Sequence, residues 1–211
     1  MELIIFILQC LAVFIVFSAV FSYLLFRRNI FIQRFTSEDT PESYEIPLEP
    51  VSFQTCDGIT LRGWFSRVDS RAPVVLICHG LGSSKHTMLV HARYLAQEGY
   101  NVLLFDFRAH GASGGTMTSF GYLEQYDLNA AILFIKDRKD LACKKIGILG
   151  ESMGATVALL ASSRFIEVKA ICADSCYPEL SQGFKNTMQR MRLPVFPFSL
   201  LAEWFFYLHY K

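Results

Sequence analysis

One pentapeptide constrains the fold more than any other feature. Gly150-Glu151-Ser152-Met153-Gly154 sits between the apolar run Lys145-Ile146-Gly147-Ile148-Leu149 and a small-residue stretch, Thr156 to Arg164. The run suits a buried parallel strand. The stretch, with Val157, Ala158, Leu159, Leu160 and Ala161 after Ala155, reads as a helix. G-x-S-x-G in that setting is a sharp strand-to-helix turn that lifts a serine hydroxyl out at the strand's end. Glycines flank the serine for a steric reason: side chains there would collide with the neighbouring strand and helix. The Met153 N–H then lies at the helix N-terminus, where the dipole favours a developing oxyanion. Ser152 is the candidate nucleophile.

Two more strand-to-loop blocks precede it. Ala72-Pro73-Val74-Val75-Leu76-Ile77-Cys78 leads straight into His79-Gly80-Leu81-Gly82. A His-Gly turn at this place supplies a second oxyanion donor, here assigned to the backbone N–H of Leu81. The His79 side chain precedes the serine and is read as structural, bonding the loop. Asn101-Val102-Leu103-Leu104-Phe105-Asp106 runs into Phe107-Arg108-Ala109-His110-Gly111-Ala112-Ser113-Gly114-Gly115. Asp106 and Arg108 are expected to fix that loop by turn-type hydrogen bonds and an ion pair.

Around these blocks strands and helices alternate. Val51–Thr55 and Thr60–Phe65 form a hairpin around Asp57-Gly58. A strand over Val74–Cys78 precedes a helix over Lys85–Glu98, which Gly99 ends. A strand over Tyr100–Asp106 precedes a helix over Tyr122–Lys136, whose buried face is Leu128, Ala131, Ile132 and Ile135. Then come a strand over Lys145–Leu149, the elbow helix, and a strand over Val168–Asp174. This alternation predicts a mostly parallel α/β sheet.

These three blocks, in this order, resemble the α/β-hydrolase superfamily, and within it the membrane-anchored, serine-aminopeptidase-like branch. The resemblance runs from about Glu49 to about Leu180, with a weaker echo to Lys211. It implies an α/β-hydrolase sheet in which strands one to six are present and strands seven and eight are missing. It also implies hydrolysis of ester or amide bonds in a small ester, lipid or peptide substrate, without a cofactor.

The N-terminus constrains location. Leu3 to Phe26 carries no charge and is dominated by Leu, Ile, Phe and Val. It is long enough to cross a bilayer. Glu2 stands where a signal peptide would carry Lys or Arg, and no small-x-small cleavage site comes after the apolar run. Residues 1–28 are therefore read as a retained single-pass anchor. Arg27 and Arg28 place the C-terminal side of that anchor in the cytoplasm. Residues 29–50 form an acidic linker punctuated by Pro41, Pro47 and Pro50, and residues 51–211 form the hydrolase domain. The six cysteines show no disulfide framework and no zinc-like pairing. Cys78 and Cys172 are expected in buried strands. A net charge of +1 gives no reason to invoke nucleic acid.

A serine hydroxyl needs a base, and in this fold the chain order is Ser, then acid, then His. After Ser152 the sequence holds one Asp, Asp174, and one His, His209. They are the candidate acid and base. The resemblance places the usual acid and His after strands seven and eight. The expectation is thus an incomplete hydrolase whose Val168–Asp174 strand has an open edge, available for self-association or a complementing chain. The alternative is a non-catalytic membrane-bound scaffold. A second span over Val195–Tyr210 is short and contains Glu203, so that aromatic tail is read instead as suited to the membrane interface.

Overall fold

The computed structural model describes residues 1–35, 37, 40–177, 185, 188, 189, 192 and 194–210. Two units emerge, Ile32–Pro178 and a helical unit made of Met1–Phe31 with Glu179–Lys211.

The larger unit is built on a sheet ordered β1-β2-β4-β3-β5-β6. Its strands are β1 (Glu49–Gln54), β2 (Thr60–Ser66), β3 (Val74–Cys78), β4 (Asn101–Phe105), β5 (Ile146–Glu151) and β6 (Val168–Asp174). β1 and β2 form the hairpin, and β2 joins β4 antiparallel. From β4 through β3 and β5 to β6 every pairing is parallel. The Asp57-Gly58 turn behaves as its chemistry dictates: Gly58 takes φ +83° and the Thr55 hydroxyl bonds Asp57 Oδ1 at 2.5 Å.

Helices cover both faces. The helix α1 (Glu2–Ile30) belongs to the other unit. α2 (Leu89–Gln97), entered through a 3₁₀ turn at Lys85–Met88, covers one face. α3 (Glu124–Asp137) and α4 (Met153–Ala161) cover the opposite one. β3 and β4 are nearly wholly buried, as central strands must be. Leu76, Leu103, Phe105 and Ile148 pack with Leu128, Ala131, Ile132 and Ile135 of α3. Ile77, Val102 and Leu104 face Met88, Leu89 and Ala92 on the other side. Each such fully buried Leu, Ile, Val, Phe or Met side chain is worth about 1.5–3 kcal/mol relative to exposure.

Two expectations need correction. The elbow helix starts at Met153, not Thr156, because the turn closes within one residue of the strand and Thr156 N–H already bonds the Ser152 carbonyl at 3.0 Å. Cys172 is exposed, whereas Cys78 is buried. β6 is an edge strand, and neighbours on both sides rather than apolar composition bury a strand.

The second unit holds α1 and α5 (Phe198–Tyr210). α1 is the one described helix long and apolar enough to cross a membrane.

Candidate active site

The site is assembled where β3, β4 and β5 end. β5 delivers Ser152 with φ 51° and ψ −111°. This left-handed backbone costs a non-glycine residue about 1–3 kcal/mol and persists only where its surroundings enforce it. Two glycines enforce it. A Cβ on Gly150 would stand 2.6 Å from the Ala155 nitrogen, inside the first turn of α4. One on Gly154 would collide with the Cys78 carbonyl oxygen and stand 2.7 Å from that of His79, at the end of β3. The motif thus packs main chain directly on main chain at both flanks. A third glycine, Gly80, leaves 3.5 Å between its missing Cβ and the Ser152 Cβ.

Two N–H groups are left over beside the serine. Met153 is the first residue of α4, so its N–H has no intrahelical acceptor. In the turn after β3, Ser83 N–H bonds the Gly80 carbonyl at 3.2 Å and Gly82 N–H donates to His110 Nε2 at 3.1 Å. The Leu81 N–H donates to no described residue. An N–H pair of this kind, at a helix N-terminus, suits a developing negative charge.

His79 is structural, as its place before the serine suggests. Its Nδ1–H donates to the Gly80 carbonyl at 2.8 Å, while Nε2 accepts the Phe107 N–H at 3.0 Å. Both ring nitrogens are committed, which fixes a neutral tautomer. Burial drives its pKa down to about 3, with the neighbouring His110 adding to the effect. The His110 ring lies 4.9 Å from that of His79 and bonds the Arg108 carbonyl through Nδ1 at 2.8 Å.

Asp106 and Arg108 fix the loop after β4. The buried Asp106 carboxylate accepts the Lys85 N–H at 2.8 Å, Lys85 Nζ at 2.5 Å and the Ala112 N–H at 2.9 Å. Gly111 is required here, because a Cβ would strike that carboxylate. Arg108 donates Nε and Nη2 to Asp127 Oδ1 at 2.9 and 2.7 Å, and Nη1 to Asp57 Oδ2 at 2.8 Å. That pairing holds the Asp57 carboxyl below its ordinary range. Burial pushes Asp127 upward, and Arg108 opposes it. Outside the loop, the Arg34 guanidinium donates to four of its carbonyls: His110 at 3.3 Å, Gly111 and Ser113 at 2.6 Å, and Gly115 at 2.9 Å.

Three further residues shape the site without a spacing that reveals them. The buried Glu124 carboxylate accepts the Thr118 hydroxyl at 2.7 Å and the Ser119 and Gly121 N–H groups at 2.9 and 2.8 Å. The loop it braces rests on Met153 and Val157 of α4. Tyr177 donates its hydroxyl to the Phe120 carbonyl at 2.5 Å, and its N–H bonds Thr156 Oγ1 at 3.1 Å. Lys85 is the third, through Asp106.

Asp174 supports the elbow by its main chain: its carbonyl accepts the Ser152 N–H at 2.8 Å. Its side chain is exposed and accepts the Ser175 hydroxyl at 2.9 Å. His209 lies on α5 in the helical unit, its ring edge-on to Phe26 at 5.9 Å and against Tyr210 at 4.8 Å. Among the described residues, no histidine hydrogen-bonds Ser152 Oγ. No group of three His, Cys, Asp or Glu gathers into a metal-sized cluster among them either.

The sequence profile of the alpha/beta hydrolase fold matches residues 73–209. The chain belongs to the α/β-hydrolase family. It is 30% identical over 209 residues to the uncharacterized protein YqkD of Bacillus subtilis, covering 90% of this chain and 66% of that one. The uncharacterized membrane protein YNL320W of Saccharomyces cerevisiae is 27% identical over 128 residues, covering 60% of this chain and 44% of its own. Among solved structures, the Pyrococcus furiosus esterase Pf2001 superposes with a TM-score of 0.71 at 35% identity, covering 83% of this chain and 69% of the esterase. The chain spans between 40% and 66% of the length of these curated relatives.

Proposed function

We propose that this α/β-hydrolase chain is part of a membrane-anchored serine hydrolase acting on esters or related carbonyl compounds. One observation carries the reading: Ser152 is held at φ 51° by glycines in backbone contact, beside the N–H groups of Leu81 and Met153, which donate to no acceptor among the described residues. Holding a serine in a strained conformation has little purpose unless its hydroxyl is used. Ser152 Oγ attacks the substrate carbonyl carbon, the carbonyl π electrons move onto oxygen, and the two N–H groups stabilise that charge. The Oγ proton passes to a general base and from it to the departing alcohol or amine, whose expulsion leaves an acyl-serine that water hydrolyses. On chain order Asp174 is the candidate acid, and the family pattern places the base after an eighth strand rather than on α5. The superposed Pf2001 is an esterase, which favours ester substrates. α1 supplies the anchor, with Arg27 and Arg28 on the cytoplasmic side.

A second reading has its own support. No described histidine bonds Ser152 Oγ, as expected of a scaffold that binds without turnover. Fluorophosphonate labelling of the membrane-expressed chain separates the two. Labelling at Ser152 that Ser152→Ala abolishes supports the hydrolase. Absence of labelling in folded, membrane-inserted protein supports the scaffold.

A further inference from the structure

We propose that α5 is embedded in the lipid bilayer beside α1, within one leaflet, and presents Leu200, Trp204, Tyr207 and Leu208 to lipid. The proposal rests on the reading of α1 as the anchor and deepens it.

The two helices pack along matched stripes. On α1 the buried residues are Ser18, Ser22, Leu25, Phe26 and Ile30, spaced i, i+4, i+7, i+8, i+12, which is one helical face. On α5 they are Ser199, Ala202 and Phe206, spaced i, i+3, i+7. Small side chains on both stripes let backbones approach closely, the packing mode that works where lipid rather than water surrounds a helix pair. Aromatic contacts run along the pair. Phe198 meets Phe21 with ring centroids 5.0 Å apart, Phe205 meets Tyr23 at 5.3 Å, and His209 meets Phe26 at 5.9 Å. α5 therefore runs in the same direction as α1, alongside its last turns, which carry Arg27 and Arg28.

The other face of α5 points to lipid. Leu200, Trp204, Tyr207 and Leu208 are 55%, 55%, 56% and 61% exposed, and their i, i+4, i+7, i+8 spacing makes one stripe. Glu203 is the one acidic side chain on the helix, and His209, in its last turn, the one basic one. A surface helix in water carries Lys, Arg and Glu on its outer face; this one carries large apolar and aromatic groups, continuous with the lipid-type surface of α1. At 1.5 Å per residue α5 is about 20 Å long, too short to cross a hydrocarbon core of about 30 Å. Its level beside the Arg27–Arg28 end puts Trp204 and Tyr207 near the headgroup boundary, the zone such side chains favour.

The chain has two tryptophans, which makes the test direct. In Trp64→Phe, reconstituted full-length in phosphatidylcholine–phosphatidylglycerol vesicles, Trp204 alone reports. Expected: quenching by 5-doxyl phosphatidylcholine, about twofold stronger than by the 12-doxyl lipid, with little quenching by aqueous iodide. Wild type against Trp204→Phe gives the same reading without altering Trp64. Ala202→Leu, which wedges the stripe, should at least halve the lipid quenching. Carbonate-resistant protein in which iodide quenches Trp204, or in which neither quencher reaches it, overturns the α5 proposal and leaves the anchor standing. Release of the whole chain by carbonate overturns both.

Discussion

The centre of the sheet and its β6 edge hold the two sides of the proposed chemistry, and they are built differently. At the ends of β3, β4 and β5 the geometry is set by main chain against main chain, by glycines with no room for a Cβ, and by buried ion pairs. At the end of β6 the carboxylate of Asp174 is exposed and its one described side-chain partner is the next residue. The proposed nucleophile and oxyanion positions are held by main chain, whereas the proposed acid, Asp174, is carried by an exposed side chain. Preorganised donors are what stabilise a transition state most effectively.

This contrast can be broken at several points. Arg108→Ala leaves the buried Asp127 carboxylate without its partner and should cost about 3–5 kcal/mol, read as a fall in the chemical-denaturation midpoint. Gly154→Ala forces a Cβ into two carbonyl oxygens at the end of β3 and should cost about 3 kcal/mol, with loss of Ser152 labelling. His79 adds a pH term. Its folded pKa of about 3 lies below its ordinary 6.5, so the unfolded chain binds the extra proton between those values. Its contribution is intact above pH 6.5 and is lost as pH falls toward 3, at up to about 1.4 kcal/mol per pH unit. His79→Gln should flatten that acid limb by one proton in denaturation measured from pH 7 to pH 4.

Smaller effects complete the series. Ser152→Gly relieves the left-handed backbone and should raise stability by about 1 kcal/mol while abolishing labelling. Asp174→Asn, at the exposed edge, should change stability by under about 0.5 kcal/mol. A larger loss would show that the edge is as tightly built as the centre, and the comparison would fail.

Legibility in the sequence divides along the same line. β6 runs over the expected Val168–Asp174, and the face of α3 formed by Leu128, Ala131, Ile132 and Ile135 is buried as its spacing predicts. Apolar periodicity is a local signal, and it survives folding. Glu124 and Asp127 were not legible as site residues, because Asp127 meets Arg108 from a distant loop, which in turn pairs with Asp57, and Glu124 is caged by a turn of irregular conformation. No spacing along one helix encodes such partners. Cys172 misled for a related reason: its strand is apolar, yet burial depends on what lies on the strand's far side.

The left-handed backbone at Ser152 also bears on how the gene would drift. Glycine relieves the strain there, so selection for folding alone favours replacing the serine. A lineage that made no use of the hydroxyl would be expected to lose Ser152 early, while Gly150 and Gly154 stayed. On the hydrolase reading proposed above, its presence between both glycines reflects selection acting on an oxygen atom, against the preference of the fold.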